Sequence, residues 1–335
     1  MVLRALRRLL SLMLLLVVIS VIVLPALLMR GCSLTGRNRA SSGASIPVTL
    51  TLYRHDTQSL EKMDLEDYLV GVLAAEVPAL FEPEALKAQA IVARTYTVKR
   101  MRCFGGQGSK CHPEADMCDE PTHGQGFMAE EAAKAKWPVI DSSRNWVRLV
   151  TAVRSTTALI IAYRGLPVDP VYHSTCGGST ENSEDVWSTS VPYLRAVSCN
   201  WCKESPRYRN TIQMTIEDMG RRLGEPVAIP TLARREGRKF IEILKASPTG
   251  RAQTIRVGDV TAKGADFRLA LGLSSTKFGW RLSGSEIVFE CDGYGHGVGL
   301  CQYGANGMAK EGWTASEIIT YYFSGTKVMP MFETR

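Results

Sequence analysis

The hydrophobic pattern divides the chain at once. Arg4, Arg7 and Arg8 precede Leu9 to Met29, LLSLMLLLVVISVIVLPALLM, which carries no charge. About 20 apolar residues match a helix crossing the bilayer core, and arginines ahead of it favour an orientation with the N-terminus inside. Residues 1–8 therefore read as a cytoplasmic tail, 9–29 as a transmembrane helix, and the rest as non-cytoplasmic. A cleaved signal peptide or a lipid on Cys32 are alternatives. The length of the apolar run, the lack of an Ala-x-Ala site after it and Arg30 just before Cys32 favour the span. Residues 30–46 are rich in Ser, Gly and Arg and read as a flexible stalk, leaving 47–330 as the exported domain.

Beyond the stalk the periodicity is mixed. Val48 to Tyr53 alternates like a strand. Asp64 is placed to cap a helix through Tyr68, Leu69, Val72 and Leu73, which should end by Val77 because Pro78 follows. Glu82-Pro83-Glu84 opens a second helix, with proline in the first turn and carboxylates at its positive end, running to about Arg100. Cys103 to Phe127 is irregular. Helices follow near 129–136 and 143–155, then strands at Leu159–Tyr163 and Val171–Ser174, expected to pair around a Gly165-Leu166-Pro167 turn. Thr215 is a plausible N-cap for a helix over 216–223. Strands at 240–244 and 254–257, a helix at 262–271, a strand at 286–290 and helices at 300–310 and 315–323 complete the reading. Helices and strands mix without a βαβ rhythm, so the expected class is α+β around a substrate cleft.

Composition narrows the partners. A net charge of +7 on a domain outside the cytoplasm suits anionic wall polymers or lipid head groups. Nucleic acid is not an expected partner across the membrane, and no Lys/Arg stripe with interleaved aromatics is present. The chain has nine cysteines, open to disulfides in that compartment or, where they neighbour histidines, to metal ligation.

Three features carry candidate chemistry. Glu76, in VGVLAAEVPALF, is the only charged side chain between Asp67 and Glu82. An apolar setting disfavours its charged form and raises its pKa, which suits a general acid. The alternative is a helix-terminal Glu bonded to backbone N–H groups. Second, Cys111-His112 and the following Cys118 and His123 supply the ligand types of a closed zinc site, or Cys111 bridges Cys103 or Cys118 in a disulfide. Cys199 and Cys202 form a close pair that fits ligation, redox chemistry or parts of two disulfides. Third, two Gly-rich loops carry polar groups suited to sugar hydroxyls and acetamido groups: Tyr172, Ser174, Gly177, Gly178 and Thr180 in one, His296 and Gln302 in the other. Neither has the setting of a dinucleotide fingerprint or of a nucleophile elbow.

The motifs Asp67-Tyr68-Leu69 with Gly71-Val72, Ala75-Glu76-Val77-Pro78, Glu84 to Ala90 with Ala93-Arg94-Thr95-Tyr96, His173 to Gly178, and Gly295 to Gly299 with Gln302 to Ala305 resemble the stage II sporulation protein D family. The likeness spans roughly 48–327. It implies a membrane-anchored peptidoglycan lytic transglycosylase acting on denuded glycan strands during engulfment in endospore-forming bacteria, facing the space between mother-cell and forespore membranes. Glu76 would be its single catalytic acid. It further implies an amidase/endopeptidase and a membrane scaffold as partners, and a structural Zn2+ in a His-x5-Cys-x4-His-Cys segment. His112, Cys118 and His123 match that pattern, Gly124 stands at the fourth position, and Cys111 or Cys103 is the expected substitute. A zinc-dependent wall amidase or peptidase, and a non-catalytic wall-binding scaffold, are the competing functions.

Overall fold

The computed structural model describes residues 47–120, 124–225 and 228–333. The expected tail, transmembrane helix and stalk lie outside these residues, as does His123. Among the described residues no helix is long and apolar enough to cross a membrane.

The first layer is a hairpin, β1 (Thr49–Arg54) and β2 (Ser59–Asp64), with β3 (Met117–Cys118) added in parallel to β1. Alternation along β1 buries Leu50 and Leu52 against the helices. The hairpin runs straight into α1 (Leu65–Glu76), because Asp64 accepts from the backbone N–H of Glu66 at 2.9 Å and of Asp67 at 3.3 Å. A six-residue connection leads to α2 (Pro83–Arg100), whose small residues Ala85, Ala88, Ala90 and Ala93 let neighbours approach on every side. The short α3 (Glu130–Lys136) and the long α4 (Val139–Arg154) complete this group.

Arg94 pins the group together. It is fully buried on α2 and makes a two-pronged pair with Glu66 of α1, Nε to Oε1 at 2.9 Å and Nη2 to Oε2 at 2.6 Å. Its remaining N–H groups reach the carbonyls of Val153 and Leu159, both at 3.1 Å. One guanidinium thus joins α1, α2, the end of α4 and the start of β4 (Leu159–Tyr163).

The expected pairing of Leu159–Tyr163 with Val171–Ser174 is not what forms. Arg164 and Gly165 both adopt positive φ, 53° and 83°, so the chain reverses in two residues. β4 pairs with β5 (Leu166–Pro167) on one side and with β14 (Lys327–Pro330) on the other. The segment at 171–174 is shorter than expected, β6 (Tyr172–His173), and lies parallel to β13 (Leu300–Cys301). This pairing brings the two Gly-rich loops side by side. α9 (Gln302–Lys310) and α10 (Ala315–Tyr322) then pack Ala305, Met308, Ile318, Ile319 and Tyr322 into the main core.

Between these loops the chain builds a second, smaller core. It holds β7 (Arg209–Thr215), α6 (Ile216–Arg222), α7 (Ala228–Glu236), β8 (Ile241–Ala246), β9 (Ala252–Val257), β10 (Val260–Lys263), α8 (Gly264–Leu271), β11 (Phe278–Ser283) and β12 (Glu286–Asp292), preceded by the single-turn α5 (Ser183–Trp187). The strands form two antiparallel sheets, β10-β9-β8 and β11-β12-β7, around Phe240, Phe267 and Phe289. Thr215 caps α6 as expected, its hydroxyl accepting from Asp218 N–H at 3.0 Å. The architecture is mixed α+β.

Candidate active site

Glu76 is the last residue of α1, where the helix must stop because Val77 is extended and Pro78 follows. The turn after it is held from three sides. Arg148 of α4 donates to the carbonyls of Ala79 and Phe81 at 2.9 and 2.8 Å. Asn306 of α9 accepts from Glu82 N–H at 2.7 Å, and the Tyr303 ring meets Phe81 edge-on at 5.0 Å. The carboxylate is therefore carried on a fixed support, with the side chain only partly shielded from solvent.

One carboxylate oxygen, Oε1, accepts from the backbone N–H of Gly126 at 2.7 Å. The Tyr172 hydroxyl stands near the carboxylate and donates to Oε1 of buried Gln125 at 3.4 Å. Gln125 is in turn tied to Thr97 of α2 at 3.0 Å. Burial raises the pKa of Glu76, and the Gly126 and Tyr172 bonds oppose the rise only in part. Nothing that shifts it is another carboxylate. Burial likewise raises Tyr68, Tyr96 and Tyr172, each within the electrostatic reach of Glu76, so these phenols remain neutral donors.

The raised pKa has a stability consequence. A carboxyl whose folded pKa exceeds its unfolded one contributes stability that is complete below the unfolded pKa and is lost as pH rises through the folded pKa. Glu76→Gln keeps an acceptor for Gly126 and removes that loss. The variant is expected to melt above the wild type at neutral pH, with the difference vanishing in acid. Thermal melts across pH check this, and a difference independent of pH would contradict it.

The Gly-rich loops meet through their histidines. Val298 N–H donates to His296 Nδ1 at 3.1 Å, which leaves Nε2–H to donate to the Tyr172 carbonyl at 2.9 Å. Burial lowers His296 to about 4 and holds His173 well below its ordinary value. His173 Nδ1 bonds the Val298 carbonyl at 3.1 Å. Both rings are neutral at physiological pH and act as latches between β6 and the second loop. Gly177 and Gly293 lie back to back with φ of 72° and 83°; a Cβ on Gly177 would stand 2.8 Å from the Asp292 carbonyl carbon. Thr180 is buried and bonded to the backbone of Val197.

The loop residues named from sequence thus divide. Tyr172 reaches the carboxylate. Ser174 and Gly178 are partly exposed, and Gln302 lies largely buried with its amide 3.5 Å from Gln89 of α2. Gly177, Thr180 and His296 hold the loops together. His296 also contacts Trp187 of α5, with centroids 5.1 Å apart, at a cavity of about 380 Å³ that Glu184, Gln253 and Arg268 help to line. The sequence reading missed Gln125 and Gly126.

In the Cys/His segment, His112 and Cys118 come together with a residue not anticipated, His55 at the end of the β1 strand. Their ligand atoms all lie within 4.8 Å of one another. Ligands about 2.0–2.3 Å from a tetrahedral zinc stand about 3.3–3.8 Å apart, so two imidazoles and a thiol in this arrangement fit that ion. Cys118 Sγ is 3.3 Å from His55 Nδ1, and the Tyr53 ring stacks on His112 with centroids 3.5 Å apart. Cys111 is exposed and is not one of this group, and Cys103 is exposed also. No disulfide joins any two of the described cysteines.

A second group of sulfurs is formed by Cys176, Cys199, Cys202 and Cys301, all buried and all within 4.8 Å of one another. Cys199 and Cys202 are the close pair visible in the sequence, and Cys176 and Cys301 join them from the two Gly-rich loops.

Residues 53–163 match the family model described as "Stage II sporulation protein". The chain is 36% identical to Stage II sporulation protein D of Bacillus subtilis (strain 168) over 86% of its own length and 82% of that protein. It is 33% identical to Stage II sporulation protein D of Bacillus amyloliquefaciens over 84% and 79% of the two chains. A more distant likeness, 26% identical over 77% of this chain but 40% of the other, is to the Amidase enhancer of Bacillus subtilis (strain 168). On the strength of the long alignments, the chain belongs to the stage II sporulation protein D family.

Proposed function

We propose that this protein is a membrane-anchored lytic transglycosylase that cuts MurNAc–GlcNAc bonds of denuded peptidoglycan strands during sporulation engulfment. The observation that carries the reading is Glu76, a lone carboxyl with a raised pKa, partly open to solvent, held by Gly126 and near Tyr172. In its acid form Glu76 donates its proton to the glycosidic oxygen as the bond to the MurNAc anomeric carbon breaks. The C6 hydroxyl of the same MurNAc attacks that carbon and gives its proton to the Glu76 carboxylate. One 1,6-anhydro end forms, the proton balance closes, and no water is consumed. A hydrolase would require a second carboxylate to activate water or to attack the sugar, whereas the groups that shift Glu76 are backbone and phenol.

Tyr172 would steady the ionised form of Glu76 between the two transfers, and Ser174, Gly178 and Gln302 would offer the strand polar contacts. A structural Zn2+ would sit on His55, His112 and Cys118, with His123 as the fourth ligand. It would fix the β1–β3 edge and take no part in proton transfer. The N-terminal helix and stalk would confine the enzyme to wall near one membrane, on its non-cytoplasmic face. There it would follow an amidase/endopeptidase that strips stem peptides and dock on a membrane scaffold.

The test is to incubate the full-length chain with glycan strands stripped of peptides and with intact strands, and to analyse the products by mass spectrometry. New 1,6-anhydro ends, formed faster on the stripped strands, are expected. Release of stem peptides with intact glycan would instead establish the zinc amidase reading. No product from either substrate would favour a wall-binding scaffold.

A further inference from the structure

We propose that Cys176, Cys199, Cys202 and Cys301 bind one Zn2+ as a buried tetrathiolate site, separate from the His55–His112–Cys118 group. The four sulfurs come from three stretches of chain. Cys176 lies in the first Gly-rich loop. Cys199 caps a tight helical turn over Asn200–Glu204 that contains Cys202, and Cys301 precedes α9. A Cys-x2-Cys turn with two further cysteines is a standard zinc ligand set.

The geometry suits an ion better than covalent bridges. Four sulfurs about 2.3 Å from one tetrahedral zinc stand about 3.8 Å apart. Here all four lie within 4.8 Å of one another, and Cys176 and Cys202 are 3.4 Å apart. A disulfide needs about 2.05 Å, and it joins sulfurs only in pairs.

The surroundings suit thiolates. Backbone N–H groups of Cys176 and Gly304 point at Cys301 Sγ from 3.3 and 3.4 Å, and the Tyr322 hydroxyl lies 3.1 Å from Cys199 Sγ. The buried guanidinium of Arg251 donates to the Cys176 carbonyl at 2.6 Å, while its Nε and Nη1 find no hydrogen-bond partner. Its nearest ion-pair contact, Glu181, is 3.9 Å away. A tetrathiolate zinc centre carries two negative charges, and an under-compensated cation beside it offsets part of them. Gly304 completes the fit, since a Cβ at that position would stand 2.5 Å from Cys199 Sγ.

Binding would release the thiol protons to solvent as four Zn–S bonds form, with no change of oxidation state. The ion would staple both Gly-rich loops to the start of α9. That would fix Tyr172 near Glu76 without touching substrate.

The test uses the full-length chain carrying His112→Ala, which disables the other metal group, purified under non-reducing conditions. Elemental analysis should find about one zinc per chain, and X-ray absorption should show a shell of sulfur only at about 2.3 Å. Peptide mapping should find all four cysteines unreactive to iodoacetamide until a strong chelator and a denaturant are added, and then reactive without a reductant. Adding Cys199→Ser with Cys202→Ser should abolish the zinc. If that variant does not fold, the absorption spectrum and the alkylation pattern of the parent decide alone. Disulfides between any of the four would overturn the proposal. So would a coloured iron centre, or four reactive thiols that take up no zinc on titration.

Discussion

Glu76→Gln should lower strand cleavage by about 10²–10⁴-fold, the usual worth of a positioned general acid–base group, and should do so without unfolding the protein. Gln keeps the shape of the side chain and an oxygen for Gly126 N–H, so the support under the site is untouched. What is lost is the transferable proton: in the proposed cycle the side chain gives one proton to the leaving oxygen and takes another from the C6 hydroxyl. The effect should appear in kcat, with binding of denuded strands retained. The pH profile of the wild type should follow the same group. Activity should fall on the alkaline side as Glu76 ionises, at a pH above the ordinary carboxylate range, because burial raises its pKa. Kinetics of the variant and a wild-type pH–rate profile check both statements. Full activity in Glu76→Gln would remove the residue from the mechanism.

The second large effect concerns stability. Arg94→Met should destabilise the domain by about 3–5 kcal/mol, the range for breaking a buried ion pair by removing one partner. Arg94 is fully buried and Glu66 nearly so. Removing the guanidinium strands a carboxylate in the interior and takes one donor from each of the Val153 and Leu159 carbonyls. The double change Arg94→Met with Glu66→Leu should recover a substantial part of the loss, since no lone charge then remains. Denaturant unfolding of the wild type, the single and the double variant tests this directly. A single variant within 1 kcal/mol of the wild type would show that the pair is not the clamp described here.

Several parts of this anatomy are local, and those were legible in the sequence. Asp64 ahead of an apolar helix, Pro83 at a first turn and Thr215 before Ile216 each act within a few residues, and each forms as read. Glu76 stood out for the same reason, as a single charge in an apolar run ending at a proline. What surrounds it is not local. Gly126 and Tyr172 reach the carboxylate from distant segments, and nothing in the spacing of either predicts the meeting.

The strand at Val171–Ser174 was placed in the wrong partnership because its true partner, Leu300–Cys301, is more than a hundred residues away, while Arg164 and Gly165 turn the chain back sooner than expected. The metal-type groups follow the same rule. His112 and Cys118 share one irregular segment and were paired from sequence, but His55 joins them through the parallel pairing of β3 with β1. Cys199 and Cys202 were visible as a pair, and Cys176 and Cys301 join them only because β6 lies beside β13. The sequence signal that would have found the set is a Cys-x2-Cys pair together with one cysteine in each Gly-rich loop.

The proposed reaction differs from hydrolysis in one atom, the oxygen that ends up on the muramic anomeric carbon. Cleavage of denuded glycan in water enriched in oxygen-18 tests this most directly. If the C6 hydroxyl of the sugar is the nucleophile, the new ends are 1,6-anhydro residues that carry no label. Labelled reducing ends formed by the wild type and absent with Glu76→Gln would contradict the account, because water would then be the nucleophile at this site.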